Sequence, residues 1–333
     1  MKLVFAGSPA FAVPTLERLA AGRHDIRSVV TQPDRPVGRM QELRPPPVKE
    51  AALRLKLPVF QPEKIKSDES RAFLEKIKPD AVVVVGYGQI LPPWLLDLPR
   101  YGCVNLHASL LPAYRGAAPI QWAIAHGETR TGLTTMLMDP GLDTGPILLQ
   151  WATEIGPEET AVQVSERLSA RGADLVAETL ERLEAGTVTP QQQDNSLASR
   201  APLLKKEHGL IDWSLPSQQI ANRVRGLLPW PGCYSGFRGK KLQIWRARPD
   251  QSRARKQADK ATMPGQLVPV GDDLLVACGQ DAALQILELQ LEGRRRMTAA
   301  EFLHGSQPKA GERLNLDPPL LKPQEQNSGG WRR

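Results

Sequence analysis

The chain has 333 residues, 41% hydrophobic and 24% charged, with a net charge of +7. No apolar run approaches the roughly 20 residues that cross a bilayer, which argues against a helical membrane protein. Its three cysteines, Cys103, Cys233 and Cys278, lie far apart, which argues against both a disulfide framework and a clustered zinc site. The length suits two domains, and the charge divides unevenly between them. Residues 1–205 carry 23 Lys and Arg against 23 Asp and Glu, whereas residues 206–333 carry 20 against 13. A basic module joined to a neutral one suggests a polyanionic partner, although basic surfaces also serve solubility alone.

In chain order, MKLVFAGSPAF passes directly into a strand and a turn, without the apolar stretch and cleavage site of a secretory leader. A cytoplasmic location is expected. KLVFAG, DIRSVVTQ, LPVFQ, DAVVVVGYG, CVNLHAS and TGLTTMLMD read as short strands, and helical patterns fall at 10–21, 48–56, 69–78 and 118–126. Strands separated by helices of this length predict an α/β unit with a parallel or mixed sheet covered on both faces. A long amphipathic pattern at 161–185, stopped by Gly186, closes this half. Residues 190–202 are polar and read as a linker. Beyond them come one helix candidate, 217–227, and the strand candidates LQIWRARP, GQLVPV, DLLVACG and ALQILELQLEG. Strands at that turn-bounded spacing predict a small β-barrel or sandwich. The expected organisation is a catalytic domain at 1–189, a linker at 190–205, a basic β domain at 206–315 and a disordered tail at 316–333, with 251–260 as a mobile loop.

The chemistry concentrates in NLHASLLP, residues 105–112. Residues i and i+2 of a strand share a face, so Asn105 and His107 project together while Leu106 and Ala108 turn into the packing. A second polar group follows in DPGLDTG, where Asp143 sits between Gly141 and Gly145. In open α/β sheets ligands bind outside the carboxyl ends of strands, and all three residues are read as lying at such ends. Together they would supply an oxyanion donor, a proton carrier and an orienting carboxylate, though such a trio also serves purely structural ends. Ser109 lacks a G-x-S-x-G elbow, and GSPAF departs from G-x-G-x-x-G. The reading is direct attack by a substrate nucleophile on a carbonyl carried by a bound donor.

The run NLHASLLPAYRGAAPIQWAIAHGETRTGLTTMLMDPGLDTG resembles the core of the folate-dependent formyltransferases. QPDRPVGR, LLKKEHGLIDWSLP, RGLLPWPG and LELQLEGRRRMTAAEFLHG are similar to the branch of that family that acts on methionyl-tRNA, and the likeness spans about residues 2–315. It implies a Rossmann-like N-terminal domain, a small C-terminal β-barrel of OB-like type, and transfer of a formyl group from 10-formyltetrahydrofolate to the α-amino group of initiator methionyl-tRNA. It implies catalytic roles for Asn105, His107 and Asp143. Folate-binding positions are implied at Ser109, Leu110, Leu111 and Pro112, and at Gly86, Tyr87, Gly88, Gln89, Ile90 and Leu91, with Ile90 and Leu91 as apolar cover. No metal is expected, and the chain is expected to act as a monomer.

On the tRNA side, the resemblance makes residues 32–49 a loop reaching the acceptor stem, with Arg39 as its arginine. Where the family commonly continues Gly-Lys-Lys, this chain has Met40, Gln41 and Glu42. Lys205, Lys206, Lys240, Lys241, Arg294, Arg295 and Arg296 are candidate phosphate contacts, and Arg238 flanks the same turn as Lys240. Trp213, Trp230 and Trp245 are read as core residues of the small domain rather than base-stacking platforms. The competing expectations are a relative that formylates a small-molecule amine or hydrolyses the formyl donor, and a non-catalytic RNA-binding protein.

Overall fold

The computed structural model describes residues 1–37, 42–250, 263–279 and 283–314. Contacts divide the chain into two compact units, one of residues 1–123 and 128–203, the other of 124–127 and the described residues from 204 onward.

In the first unit the strands are β1 (Lys2–Gly7), β2 (Asp25–Val30), β3 (Arg35–Val37), β4 (Glu42–Arg44), β5 (Val59–Phe60), β6 (Ala81–Val85), β7 (Cys103–His107), β8 (Arg115–Gly116), β9 (Arg130–Leu137), β10 (Ile147–Glu154) and β11 (Arg200–Ala201). Its helices are α1 (Val13–Ala20), α2 (Pro47–Arg54), α3 (Asp68–Ile77), α4 (Pro93–Leu96), α5 (Pro119–Ala125) and α6 (Ala161–Glu184), α5 running into the segment grouped with the second unit. Seven strands form one mixed sheet in the order β10-β9-β7-β6-β1-β2-β5. Strands β5, β2, β1, β6 and β7 run parallel, and β9 and β10 are antiparallel additions at one edge.

Local sequence explains these elements. Every residue of β6, AVVVV, is buried, as a central strand covered on both faces requires. Ser67 caps α3 by accepting from the Ser70 N–H, and Thr160 and Gln163 close a capping box at the start of α6. Gly172 lets α6 settle onto β7: a Cβ there would stand 2.6 Å from Leu106 Cδ2. That contact turns Leu106 toward the helix and leaves Asn105 and His107 to the opposite side.

Two features depart from expectation. Residues 147–154 carry no clear alternation, yet they form β10, an edge strand whose burial is only partial. The segment at 32–49 is not loop throughout, because β3 and β4 pair as an antiparallel hairpin with Arg35 opposite Arg44. Its base is cinched by Asp34, which accepts from Lys49 Nζ at 2.7 Å and Gln61 Nε2 at 2.8 Å.

The second unit contains α7 (Ser217–Gly226), β12 (Cys233–Phe237), β13 (Lys240–Asp250), β14 (Leu267–Val270), β15 (Asp273–Ala277), β16 (Ala283–Leu291), β17 (Met297–Thr298) and α8 (Ala299–Ser306). Its strands form an antiparallel sheet in the order β12-β13-β16-β15-β14, with β17 on β16. Strand β12, CYSGF, is not among the expected strands: Ser235 and Gly236 interrupt a segment otherwise marked only by Tyr234 and Phe237. The expected loop at 251–260 and tail at 316–333 lie outside the described residues. No helix among the described residues is long and apolar enough to cross a membrane.

Candidate active site

Strand β7 lies between β6, with Val84 opposite Asn105, and β9, with Thr134 opposite His107. Asn105 is 8% exposed, and its side-chain amide makes no hydrogen bond to another described residue. The amide atoms still reach solvent, so they are open to a ligand at the surface of the site.

His107 is 6% exposed. Its Nε2 lies 2.9 Å from the Tyr114 carbonyl oxygen. A carbonyl only accepts, so Nε2 carries the proton. That leaves Nδ1 for chemistry, 3.7 Å from Asp143 Oδ2. The separation is an ion-pair distance and too long for a hydrogen bond.

The turn that presents the Tyr114 carbonyl is built by SLLP. Ser109 Oγ donates to Ala113 O at 2.6 Å, and Thr134 Oγ1 donates to Ser109 O at 2.7 Å while accepting from Leu111 N at 3.1 Å. Gln150 Nε2 donates to Leu111 O at 2.8 Å. The Leu111–Pro112 peptide is cis, and Tyr114 has φ of +61°.

Asp143 does not lie at the carboxyl end of a strand beside His107. Because β9 runs antiparallel, Leu137 at its carboxyl end pairs with Val104 at the start of β7, about 10 Å from His107 at ~3.3 Å per residue. The loop 138–146 carries Asp143 back to the histidine. Asp139 Oδ1 ties this loop by accepting from Gly141 N at 3.0 Å and Thr144 Oγ1 at 2.7 Å. Asp143 itself has φ of +53°, in the left-handed region that aspartate tolerates better than most residues. Its Oδ2 accepts from the Gly116 N–H at 2.8 Å. Gly116 must be glycine, since it has φ of +128° and a Cβ would meet Ala201 O at 2.4 Å.

Sequence reasoning missed two side chains that hold this arrangement. Gln193 Nε2 donates to the carbonyl oxygens of Asp143 at 2.9 Å and Gly145 at 2.7 Å. Arg115 donates to Gln193 Oε1 from Nε at 3.0 Å and Nη2 at 2.7 Å. Residues 190–203 are therefore not a free linker. Gln191 and Ile147 exchange both backbone hydrogen bonds at 2.8 Å, and β11 pairs with β8.

Among the predicted folate positions, Gly86 and Gly88 have φ of +58° and +84°, so the GYG turn depends on glycine. Three neighbouring side chains are committed to the fold instead. Tyr87 and Leu91 pack in the apolar core beside Val84 and Leu95. Gln89 accepts from Ile65 N at 2.8 Å. Ile90, at 79% exposed, remains available. Ser109 and Leu111 are buried in the SLLP turn, whereas Leu110 and Pro112 are partly exposed. Burial alone drives the Tyr87 phenol far above its usual range, and its hydroxyl has no partner among the described residues. Tyr87→Phe should raise the unfolding free energy by about 1 kcal/mol in denaturant titration without changing folate affinity. An equal or lower stability would indicate a hydroxyl partner.

In the second unit, Lys205 and Lys206 are exposed, and Lys241 Nζ lies 4.3 Å from the centre of the Tyr234 ring. Tyr234 Oη donates to Lys206 O at 3.3 Å. Burial, and secondarily the charge of Lys206, holds the Lys241 ammonium below its ordinary pKa. Lys240 is exposed beside the Gly239 turn. The arginine run divides. Arg295 pairs with Glu301 at 2.6 Å, and Arg296 pairs with Glu288 and lies over Trp245. Arg294 is exposed with no side-chain partner among the described residues. Arg238 is a structural clamp, donating to Glu312 Oε1 at 2.6 Å and Ser306 O at 2.9 Å. Trp213 is buried and donates to Ser235 Oγ at 3.1 Å, but Trp230 is 54% exposed and so is not core. Arg39, Met40 and Gln41 lie outside the described residues, while Arg44 Nη2 pairs with Glu42 at 3.2 Å. No group of three or more His, Cys, Asp or Glu among the described residues could hold a metal ion.

Residues 1–180 match the formyl transferase family model, and residues 203–307 match that of the formyl transferase C-terminal domain. The methionyl-tRNA formyltransferase of Solibacter usitatus is 53% identical over 314 residues, covering 94% of this chain and 98% of the relative. That of Acidobacterium capsulatum is 54% identical over 307 residues, covering 92% and 97%. The N-formyltransferase of Helicobacter canadensis, solved in complex with folinic acid and dTDP-3-aminofucose, shares the fold with a TM-score of 0.63 at 18% identity, covering 86% of this chain and 98% of that one. With both family models matched and near-full-length identity above one half, the chain belongs to the methionyl-tRNA formyltransferase family.

Proposed function

We propose that this chain transfers the formyl group of 10-formyltetrahydrofolate to the α-amino group of methionyl initiator tRNA, in the cytoplasm and as a monomer. The observation that carries the mechanism is the nearly buried, unpaired amide of Asn105 on the same strand face as His107. A free α-amino group has a pKa of about 7.7–8.0, so a useful fraction of the attacking amine is neutral.

The amine lone pair forms a bond to the formyl carbon, and the carbonyl π pair moves to oxygen. Asn105 donates a side-chain N–H to that oxyanion. The amine's proton passes to His107 Nδ1, beside Asp143, whose negative charge steadies the imidazolium. Collapse of the oxyanion breaks the bond to folate N10, which takes the proton from Nδ1. With Nε2 bonded to Tyr114 O, His107 carries the proton through Nδ1. Gly86, Gly88, Ile90 and the SLLP turn would meet the folate through backbone groups and one apolar side chain.

Incubation with 10-formyltetrahydrofolate and either methionyl initiator tRNA or small amines tests this. Formylmethionyl-tRNA is the expected product, and faster formylation of a free amine, or hydrolysis alone, would contradict it. On the tRNA side, Lys206, Lys241 and Arg294 are the phosphate contacts we favour, since Arg295 and Arg296 already hold their own carboxylates. Arg294→Ala should flatten the log–log salt dependence of tRNA binding by roughly 0.7–0.9, and Arg296→Ala by less. Equal slopes in filter binding would show that the internal ion pairs do not matter.

A further inference from the structure

The polar segment after α6 is bound to the proposed catalytic loop by a closed ring of hydrogen bonds. Gln193 gives both N–H bonds to that loop, at Asp143 O and Gly145 O. Its oxygen takes two N–H bonds from Arg115. Arg115 is followed by Gly116, whose N–H meets the Asp143 carboxylate. The same segment reaches the histidine's side of the site, because Tyr114 N donates to Ser199 Oγ at 2.9 Å and Tyr114 O accepts from His107.

Every hydrogen-bonding group of the Gln193 amide is thus spent on the Asp143 loop or on the strand that anchors Asp143. Asn195 Oδ1 adds a second acceptor for Arg115 at 2.9 Å. Asp143 sits in left-handed backbone geometry at the far end of a loop whose strand leads away from His107. Its own side chain has one backbone donor to hold it. An isolated loop of this kind would sample many conformations and leave the carboxylate unaimed.

We infer that Gln193 is a positioning residue for the transfer reaction: it straps the 138–146 loop so that Asp143 stays within ion-pair distance of His107 Nδ1. This rests on the reading that Asp143 assists the reaction.

Gln193→Met keeps the side chain's length and removes the amide, so it should lower kcat on the order of tenfold to a hundredfold with KM for both substrates unchanged. Because Gln193 acts only through Asp143, the double variant with Asp143→Asn should be no slower than Asp143→Asn alone. A merely structural residue would multiply the two losses. Wild-type kcat in Gln193→Met, or multiplied losses in the pair, would overturn the strap while leaving the role of Asp143 standing. Wild-type kcat in Asp143→Asn would overturn the reading beneath it as well. Should Gln193→Met not fold, Gln193→Glu makes the same test. It keeps an acceptor for Arg115, places oxygen against the two loop carbonyls, and carries the same expected kcat loss and the same non-additivity.

Discussion

Asn105→Ala is expected to lower kcat by about 10²–10³-fold, equivalent to about 2.7–4 kcal/mol of barrier, the usual cost of losing one oxyanion donor. The loss should fall on kcat and leave the folate dissociation constant nearly unchanged. The reason is geometric. Asn105 is held by sheet partners on both sides, β6 and β9, so the backbone that presents its amide does not depend on the amide. That amide has no partner among the described residues. Its N–H groups are therefore aimed in advance and need no rearrangement when charge develops on the formyl oxygen. Burial makes each such bond worth more than it would be in water. Single-turnover kinetics separate this step from product release, and a rate near that of the wild type would remove Asn105 from oxyanion stabilisation.

The second large effect concerns the His107 and Asp143 pair. Asp143→Asn retains an oxygen for the Gly116 N–H and a residue at ease with φ of +53°, so the loop should keep its shape. What it loses is the negative charge 3.7 Å from Nδ1. His107→Gln retains an N–H for Tyr114 O but cannot carry a proton through the cycle. Each change should reduce kcat by about 10²–10⁴-fold, the range for a positioned acid–base group. The double variant should be no worse than the slower single one, because groups acting as a unit are not additive. Multiplied losses would show that the two residues serve separate steps.

The face-sharing of Asn105 and His107 was legible because strand alternation is local and Leu106 between them is apolar. The alternation of strands and helices made the α/β sheet legible, and runs such as AVVVV marked its centre. The route of Asp143 to the histidine was not legible. It depends on β9 running antiparallel to β7, a pairing between residues about 30 apart that no local pattern encodes. Gln193 was hidden for the same reason, in a polar stretch whose composition suits a spacer equally well. Alternation is also lost in the partly buried edge strand β10, where Ile147, Leu148 and Leu149 run together. In the basic unit the charges were legible but their partners were not: Glu288, Glu301 and Glu312 neutralise Arg296, Arg295 and Arg238 only once the chain folds.

The position of the formyl oxygen decides whether Asn105 acts as the oxyanion donor. A crystal structure with a non-transferable formyl-folate analogue and a methionyl-tRNA acceptor mimic should place that oxygen about 2.7–3.1 Å from the Asn105 amide nitrogen, with the amine nitrogen facing His107 Nδ1. An oxygen turned away from Asn105, toward solvent or another donor, would contradict it.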